Sequence, residues 1–282
     1  MTPDELLQAI ARDDTIENLD LSGIDLSGQD LSGARFENVT FRDADFRDAT
    51  IIRTGFKGCD FTGAHMDGAK LSRVLWMGMD LSGVILIGAD LTEAVLTGAN
   101  LTGAILRNAT FTLASMDNVT LDGADLTDAD VSRAILYKAS LKGTSLAGAQ
   151  LFKTVFYEAD MAGCNLKGAR IYKTFLRDCA LAGQDFSGAK FIMAQAGGAD
   201  LRECDFTGAD ITQSNFMNAD MTRAKLDNAY GERSVFMGTN LAGASFRNAY
   251  LVQSCFEEAN LSLVDLTGSN MEQAIFAKAN CR

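Results

Sequence analysis

The chain of 282 residues holds one proline, one histidine and one tryptophan. With its single proline at position 3, it offers no proline-rich linker and no composition break to mark a domain seam. The one histidine, His65, occupies an outward Asp/Asn-type site of the repeat and is read as a surface residue, not a catalytic base. No apolar run approaches the roughly 18 residues that a membrane span needs, so no membrane association is expected. The opening MTPDELLQAIARDD carries acids where a secretory signal would carry a basic segment followed by an apolar one. A cytoplasmic location is therefore expected, with export only by a route that needs no signal peptide. No phosphate loop, zinc-protease helix or Gly-x-Ser-x-Gly elbow occurs, and Gly143-Thr144-Ser145 lacks the closing glycine. No catalytic residue, cofactor or metal site is expected, and the chain is read as a non-enzyme. Net charge is −12, which disfavours direct nucleic-acid binding because phosphate attraction dominates that affinity.

What the chain does have is a period of five. From Ile16 every fifth residue is large and apolar, as in Leu21, Leu26, Leu31, Phe36, Phe41, Phe46 and onward to Phe276, with Ala196, Gly231 and Cys281 the departures. Two residues before each stands a small one, as in Ala34, Ala44, Ala49, Ala64 and Ala69. Asp or Asn commonly lies between them, as in Ala89-Asp90-Leu91 and Ala99-Asn100-Leu101, and no insertion breaks the register. Five matches neither the helical period of 3.6 nor the strand period of two. It suits a chain that turns a corner every five residues, with the large and the small residue inward and the other three outward.

The A(D/N)LxG-like unit, repeated over nearly the whole chain after residue 15, resembles the pentapeptide-repeat family. The resemblance implies an all-β solenoid, a right-handed quadrilateral β-helix. Four faces make a coil of 20 residues, so about 13 coils stacked at roughly 4.8 Å would form a rod on the order of 60–65 Å long. Residues 1–15 are expected to form a short helical cap, with Thr2 as N-cap, Pro3 first in the helix, and Leu6, Leu7 and Ile10 as its apolar stripe. Residues 16–282 are expected to form a single β-helix domain. Its last coil, ending Ala279-Asn280-Cys281-Arg282, looks bare, and self-association through it is expected. Ala196 and Gly231 predict a void or local bend. Cys59, Cys164, Cys179 and Cys204 fall in the small inward column and are expected to be reduced fillers.

Outward positions can be read as columns 20 apart. One column carries Leu75, Val95, Ile135, Val155, Phe175, Val235 and Ile275 where the repeat favours Asp or Asn. Phe152, Tyr172 and Ile192 border it, and the adjoining corner carries Arg133, Lys153, Lys173 and Arg233 where Gly or Asn is usual. Apolar surface of this extent marks an interface. The expected function is a non-catalytic scaffold that binds a protein partner through this apolar and basic stripe. The opening residues, with Leu19-Asp-Leu-Ser-Gly and Leu26-Ser-Gly, also resemble pentapeptide modules of bacterial type VI secretion accessory proteins, which would imply a role in loading the secretion spike. The alternative implied by the family resemblance is mimicry of DNA, with binding to DNA gyrase and quinolone resistance. That reading needs a continuous acidic stripe.

Overall fold

The computed structural model describes residues 1–282, which form two compact units, Met1–Ser145 and Leu146–Arg282. Helix α1 (Pro3–Ala11) opens the first unit. The Glu5 N–H donates to the Thr2 hydroxyl at 3.3 Å, and the Thr2 N–H donates to the Glu5 carboxylate at 2.8 Å, so two free donors of the first turn are capped reciprocally. Leu6 and Ala9 bury the inner face, while Leu7 and Ile10 are only half-buried, which narrows the expected stripe.

Behind α1 the first unit is a parallel ladder in which each residue pairs with the one 20 further along. Strands β1 (Thr15–Glu17), β2 (Arg35–Glu37) and β3 (Gly55–Lys57) pair in the order β1-β2-β3, and single bridges such as Asp80↔Asn100 continue the same register. In the second unit, β4 (Arg170–Tyr172) pairs with β5 (Lys190–Ile192), and bridges such as Asp200↔Asp220 repeat the pattern. Each unit is thus a parallel β-helix with coils of 20 residues.

The five-residue unit follows from where its amide hydrogens go. At Asn100–Ala104, Asn100 donates back to Met79 O at 2.9 Å, and Leu101 donates forward to Thr120 O at 2.7 Å. Gly103 donates to Asp122 O at 2.9 Å, and Ala104 closes the turn on Leu101 O at 3.1 Å. The remaining amide, that of Thr102, donates to the Asn100 side chain at 3.1 Å. This last bond explains the recurrent Asp or Asn: its side chain caps the one donor that neither the turn nor the neighbouring coil can reach. Ser22 on Asp20, Thr92 on Asp90, Thr207 on Asp205 and Thr222 on Asp220 repeat it.

The third turn residue has φ > 0 throughout, which Gly adopts without strain and Asn or Asp with little. One corner departs from this. Arg53, Arg73, Glu93, Leu113 and Arg133 in the first unit lie at φ of 54–62°, as do Lys153, Lys173, Met193, Gln213, Arg233, Gln253 and Gln273 in the second. No other corner goes so far without Gly, Asn or Asp.

Inward columns make the core. Leu, Ile and Phe side chains are almost wholly buried, each contributing roughly 1.5–3 kcal/mol. Phenylalanines 20 apart stack, as Phe186 on Phe206 (4.9 Å) and Phe236 on Phe256 (4.8 Å). Thr or Ser in the small column donates to a carbonyl of the preceding coil: Thr54 to Leu31 O at 3.0 Å, Ser234 to Ile211 O at 2.8 Å. Cys59, Cys164, Cys179 and Cys204 are buried free thiols, and burial pushes Cys179 and Cys204 up to about 12. Only the Trp76 indole nitrogen and one Asp67 oxygen are buried side-chain polar atoms without a partner.

The two departures in the large column are repaired by neighbours. Phe191 stacks on Phe216, which lies one coil beyond Ala196 in the same column, at 5.7 Å and 17°. At Gly231 a Cβ would meet Leu251 Cδ2 at 2.9 Å and Ile211 Cδ1 at 3.1 Å, so these chains already close the gap. The ladder crosses both sites intact, with Ala196 N to Asn215 O at 2.8 Å and Gly231 N to Tyr250 O at 2.7 Å. The expected void or bend is replaced by local repacking.

Three outcomes follow. Phe206→Ala, which removes a ring touching Phe186, Phe191 and Phe216, lowers the hydrogen-exchange opening free energy of the surrounding amides by about 3–5 kcal/mol. Gly231→Leu overpacks against Ile211 and Leu251 and destabilises by about 1–3 kcal/mol in denaturant titration, whereas a true void would make the substitution stabilising. Leu113→Asn relieves an exposed left-handed leucine and stabilises by about 1 kcal/mol, read as a higher thermal midpoint.

Candidate functional site

The expected stripe consists of face positions that lack the Asp or Asn cap. In the first unit, bridges join Gly55 to Leu75, Leu75 to Val95, Val95 to Ser115 and Ser115 to Ile135. Leu75 and Ile135 are 47% and 44% exposed, and Val95 is half-buried. Arg133 stands exposed at the adjoining corner. Gly55 contributes no side chain, and there a cavity of about 680 Å³ opens between Phe36, Phe56, Leu75 and Met77. The cations at its rim are neutralised: Arg35 pairs with Asp13 at 3.1 Å and Lys57 with Glu37 at 3.3 Å.

In the second unit the column runs Val155, Phe175, Gln195, Asn215, Val235, Cys255, Ile275 through successive bridges. Val155, Phe175 and Val235 are half-buried and Ile275 is 53% exposed. Gln195 and Asn215 interrupt the apolar run, so the structure divides it in two. The later part, Val235 to Ile275, has Arg233 at its corner, held by Glu232 at 3.6 Å and donating to Gln253 Oε1 at 2.8 Å.

The earlier part is an aromatic and basic cluster. Tyr172, the last residue of β4, is 38% exposed and stacks on half-buried Phe152 at 5.6 Å and 13°. Ile192 pairs beside Tyr172 through β4 and β5. Tyr157 meets Phe175 edge to face at 5.9 Å. The Lys153 ammonium lies 5.2 Å from the Phe152 ring centre and that of Lys173 lies 5.3 Å from Tyr172. Neither lysine has a carboxylate within ion-pairing distance, unlike Lys190 on Asp210 or Arg202 on Asp200.

Two hollows of about 400 Å³ flank Phe175 and Gln195. One is lined by Lys153, Lys173, Met193 and Gln213 as well. The other is lined by Tyr157, Arg177, Gly197, Asn215 and Met217. Sequence columns identified the cluster's side chains but missed these hollows. Their signal was the Gly197-Gly198 pair, where a side chain is absent from the column between Arg177 and Met217. With Val155 and Phe175 in the cap position, the amides of Tyr157 and Arg177 lose the side-chain acceptor that Asn215 still supplies to Met217 at 2.9 Å.

Many acids on the other faces are engaged. Asp45 is held down to about 2 chiefly by the Arg47 guanidinium, and Asp60 and Asp265 to about 2 first by the Thr62 and Thr267 hydroxyls and then by arginines. Within each unit, bridged Asp–Asp neighbours such as Asp25↔Asp45 and Asp185↔Asp205 come in twos, not in longer acidic runs. His65 is exposed, no group of three or more His, Cys, Asp or Glu is placed to hold a metal ion, and no helix is long and apolar enough to cross a membrane.

Comparison with known proteins adds the following. No curated protein matches the chain. Among solved structures it is similar to HetL, a pentapeptide repeat protein involved in heterocyst differentiation regulation in the cyanobacterium Nostoc (24% identity, 99% of this chain and 96% of that one, TM-score 0.24). A pentapeptide repeat protein of the Arabidopsis thaliana thylakoid lumen matches at 25% identity over 36% of this chain and 66% of its own, with a TM-score of 0.26. QnrB1, a plasmid-mediated fluoroquinolone resistance protein, matches at 17% identity over 92% and 93%, with a TM-score of 0.27. The family model for pentapeptide repeats matches in overlapping segments that begin at 20–58 and end at 254–282. The chain belongs to the pentapeptide repeat family, whose members form right-handed β-helices and generally serve as structural or interaction modules.

Proposed function

We propose that the protein is a non-catalytic scaffold that binds a protein partner through the apolar and basic surfaces of its β-helix, whose coils are four-sided. The observation that carries this reading is the corner of Arg53 to Arg133 in the first unit and Lys153 to Gln273 in the second, where every left-handed position carries a long side chain, whereas the other corners use mainly Gly, Asn or Asp with exceptions such as Lys138, Glu158 and Arg223. Each such residue costs about 1–2 kcal/mol in that conformation. A fold that relieves this strain at most positions of its other corners keeps it at every one here because the side chains are used. They stand beside Leu75 and Ile135 in the first unit and beside Val155 and Phe175 in the second, where the capping Asp or Asn is also given up. The pathway, type VI secretion or another, is set by the partner.

Mimicry of DNA toward gyrase is the competing reading. It asks for a continuous row of free carboxylates, and many of the acids here are spent on turn amides, hydroxyls and arginines.

Affinity capture from a bacterial lysate separates the two. The wild-type chain is compared with a Val155→Asp/Phe175→Asp/Val235→Asp variant that keeps its circular dichroism spectrum. A protein retained by the wild type and reduced at least about tenfold in the variant is the expected result, since three buried carboxylates disrupt an apolar contact. Gyrase subunits captured equally by both would replace this reading with mimicry.

A further inference from the structure

The cluster around Lys153 and Lys173 combines three features that a purely structural surface does not need. The chain has 37 acidic and 25 basic residues, so counter-ions are plentiful, yet these two lysines lack one. They stand at one corner on successive coils, with Lys153 N donating to Tyr172 O at 3.2 Å and Lys173 N to Ile192 O at 3.0 Å. Coil spacing therefore sets two like charges about 5 Å apart at their backbones. Both keep φ near 55° where Gly would be unstrained, and both are oriented by rings that stack on each other.

The second feature is the hollow itself. Its walls include both lysines together with Phe175 and Met193, so a single occupant meets positive charge and apolar surface at once. An inorganic anion would use the first and leave the second exposed. The third feature is the row of hydrogen-bonding groups next to it. The amides of Tyr157 and Arg177 have no acceptor in the chain, and beside them Asn215 donates to Gln195 Oε1 through a long 3.4 Å contact, while Gln195 Nε2 donates to Met193 O at 3.3 Å. Such groups suit a polypeptide backbone.

We propose that this cluster binds a protein segment in which carboxylates flank a large apolar side chain: the carboxylates pair with Lys153 and Lys173, the apolar side chain seats against Phe175 and Met193, and the segment's main chain meets the free amides beside them. This rests on the protein-binding reading above and gives that partner its chemistry.

The test is selection of random peptides of about 12 residues, displayed on phage, against the full chain. Binding of the selected peptides is then measured by fluorescence anisotropy. Expected are peptides of net negative charge carrying at least one aromatic or large aliphatic residue. Their affinity falls at least about tenfold in Lys153→Glu/Lys173→Glu and in Phe175→Ser, and drops severalfold between low and roughly 0.3 M salt. The milder Lys153→Gln/Lys173→Gln variant gives the same direction if charge reversal disturbs folding. Peptides without negative charge that still lose binding in Phe175→Ser would overturn the acidic assignment and leave the scaffold reading intact. No enrichment, or enrichment indifferent to all three variants, would overturn this proposal, while the scaffold reading stands or falls on the lysate capture above. Binding to phosphatidylserine vesicles that depends on the lysines, with no peptide enriched, would assign the cluster to a lipid surface and also overturn the proposal.

Discussion

A coil of this fold must find acceptors for five amide hydrogens per repeat, and its neighbours supply only three. The coils on either side take the amides of the first, second and fourth residues, and the turn closes the amide of the fifth. The third amide depends on a side chain two residues back, so Asp and Asn recur for a backbone reason. The same ladder fixes the side-chain columns, since every residue is held 20 positions from its partner. One inserted residue would turn the inward columns outward, and none occurs.

Within that frame the core is forgiving in size and strict in place. Stacked phenylalanines are aligned by the ladder, yet Phe191 also stacks on Phe216, one coil beyond the small Ala196. Ile211 and Leu251 likewise close over Gly231. Repacking of this kind is available because a solenoid couples each coil mainly to its neighbours, so a local change in volume is absorbed locally.

Much of this was legible in the sequence. The period of five placed the inward columns, the buried cysteines and the corners, because each is fixed by register alone. Contacts that depend on size and direction were less legible. Ala9 joins Leu6 in the cap while Leu7 and Ile10 stay half-buried, a matter of how α1 docks. Gln195 and Asn215 are polar members of the column in the sequence itself, but that both line a hollow beside the aromatic cluster was not legible there. Which cations are neutralised could not be read from columns either. Arg233 and Lys173 look equivalent in sequence, but Arg233 reaches Glu232 and Gln253, whereas Lys173 turns over Tyr172.

That difference bears on what net charge says about a repeat protein. A total of −12 suggests a negative surface. Yet an aspartate that accepts from its own turn amide, and often from a hydroxyl and an arginine as well, has little left to offer a partner. The acids belong to the fold's backbone accounting, repeated wherever the repeat is regular. Lys153 and Lys173 stand where the repeat is irregular: the cap is apolar, the corner is strained and a glycine opens the surface. On the proposed reading, local charge at those irregular positions, opposite in sign to the total, is what a partner would meet, so binding chemistry is sought in departures from consensus.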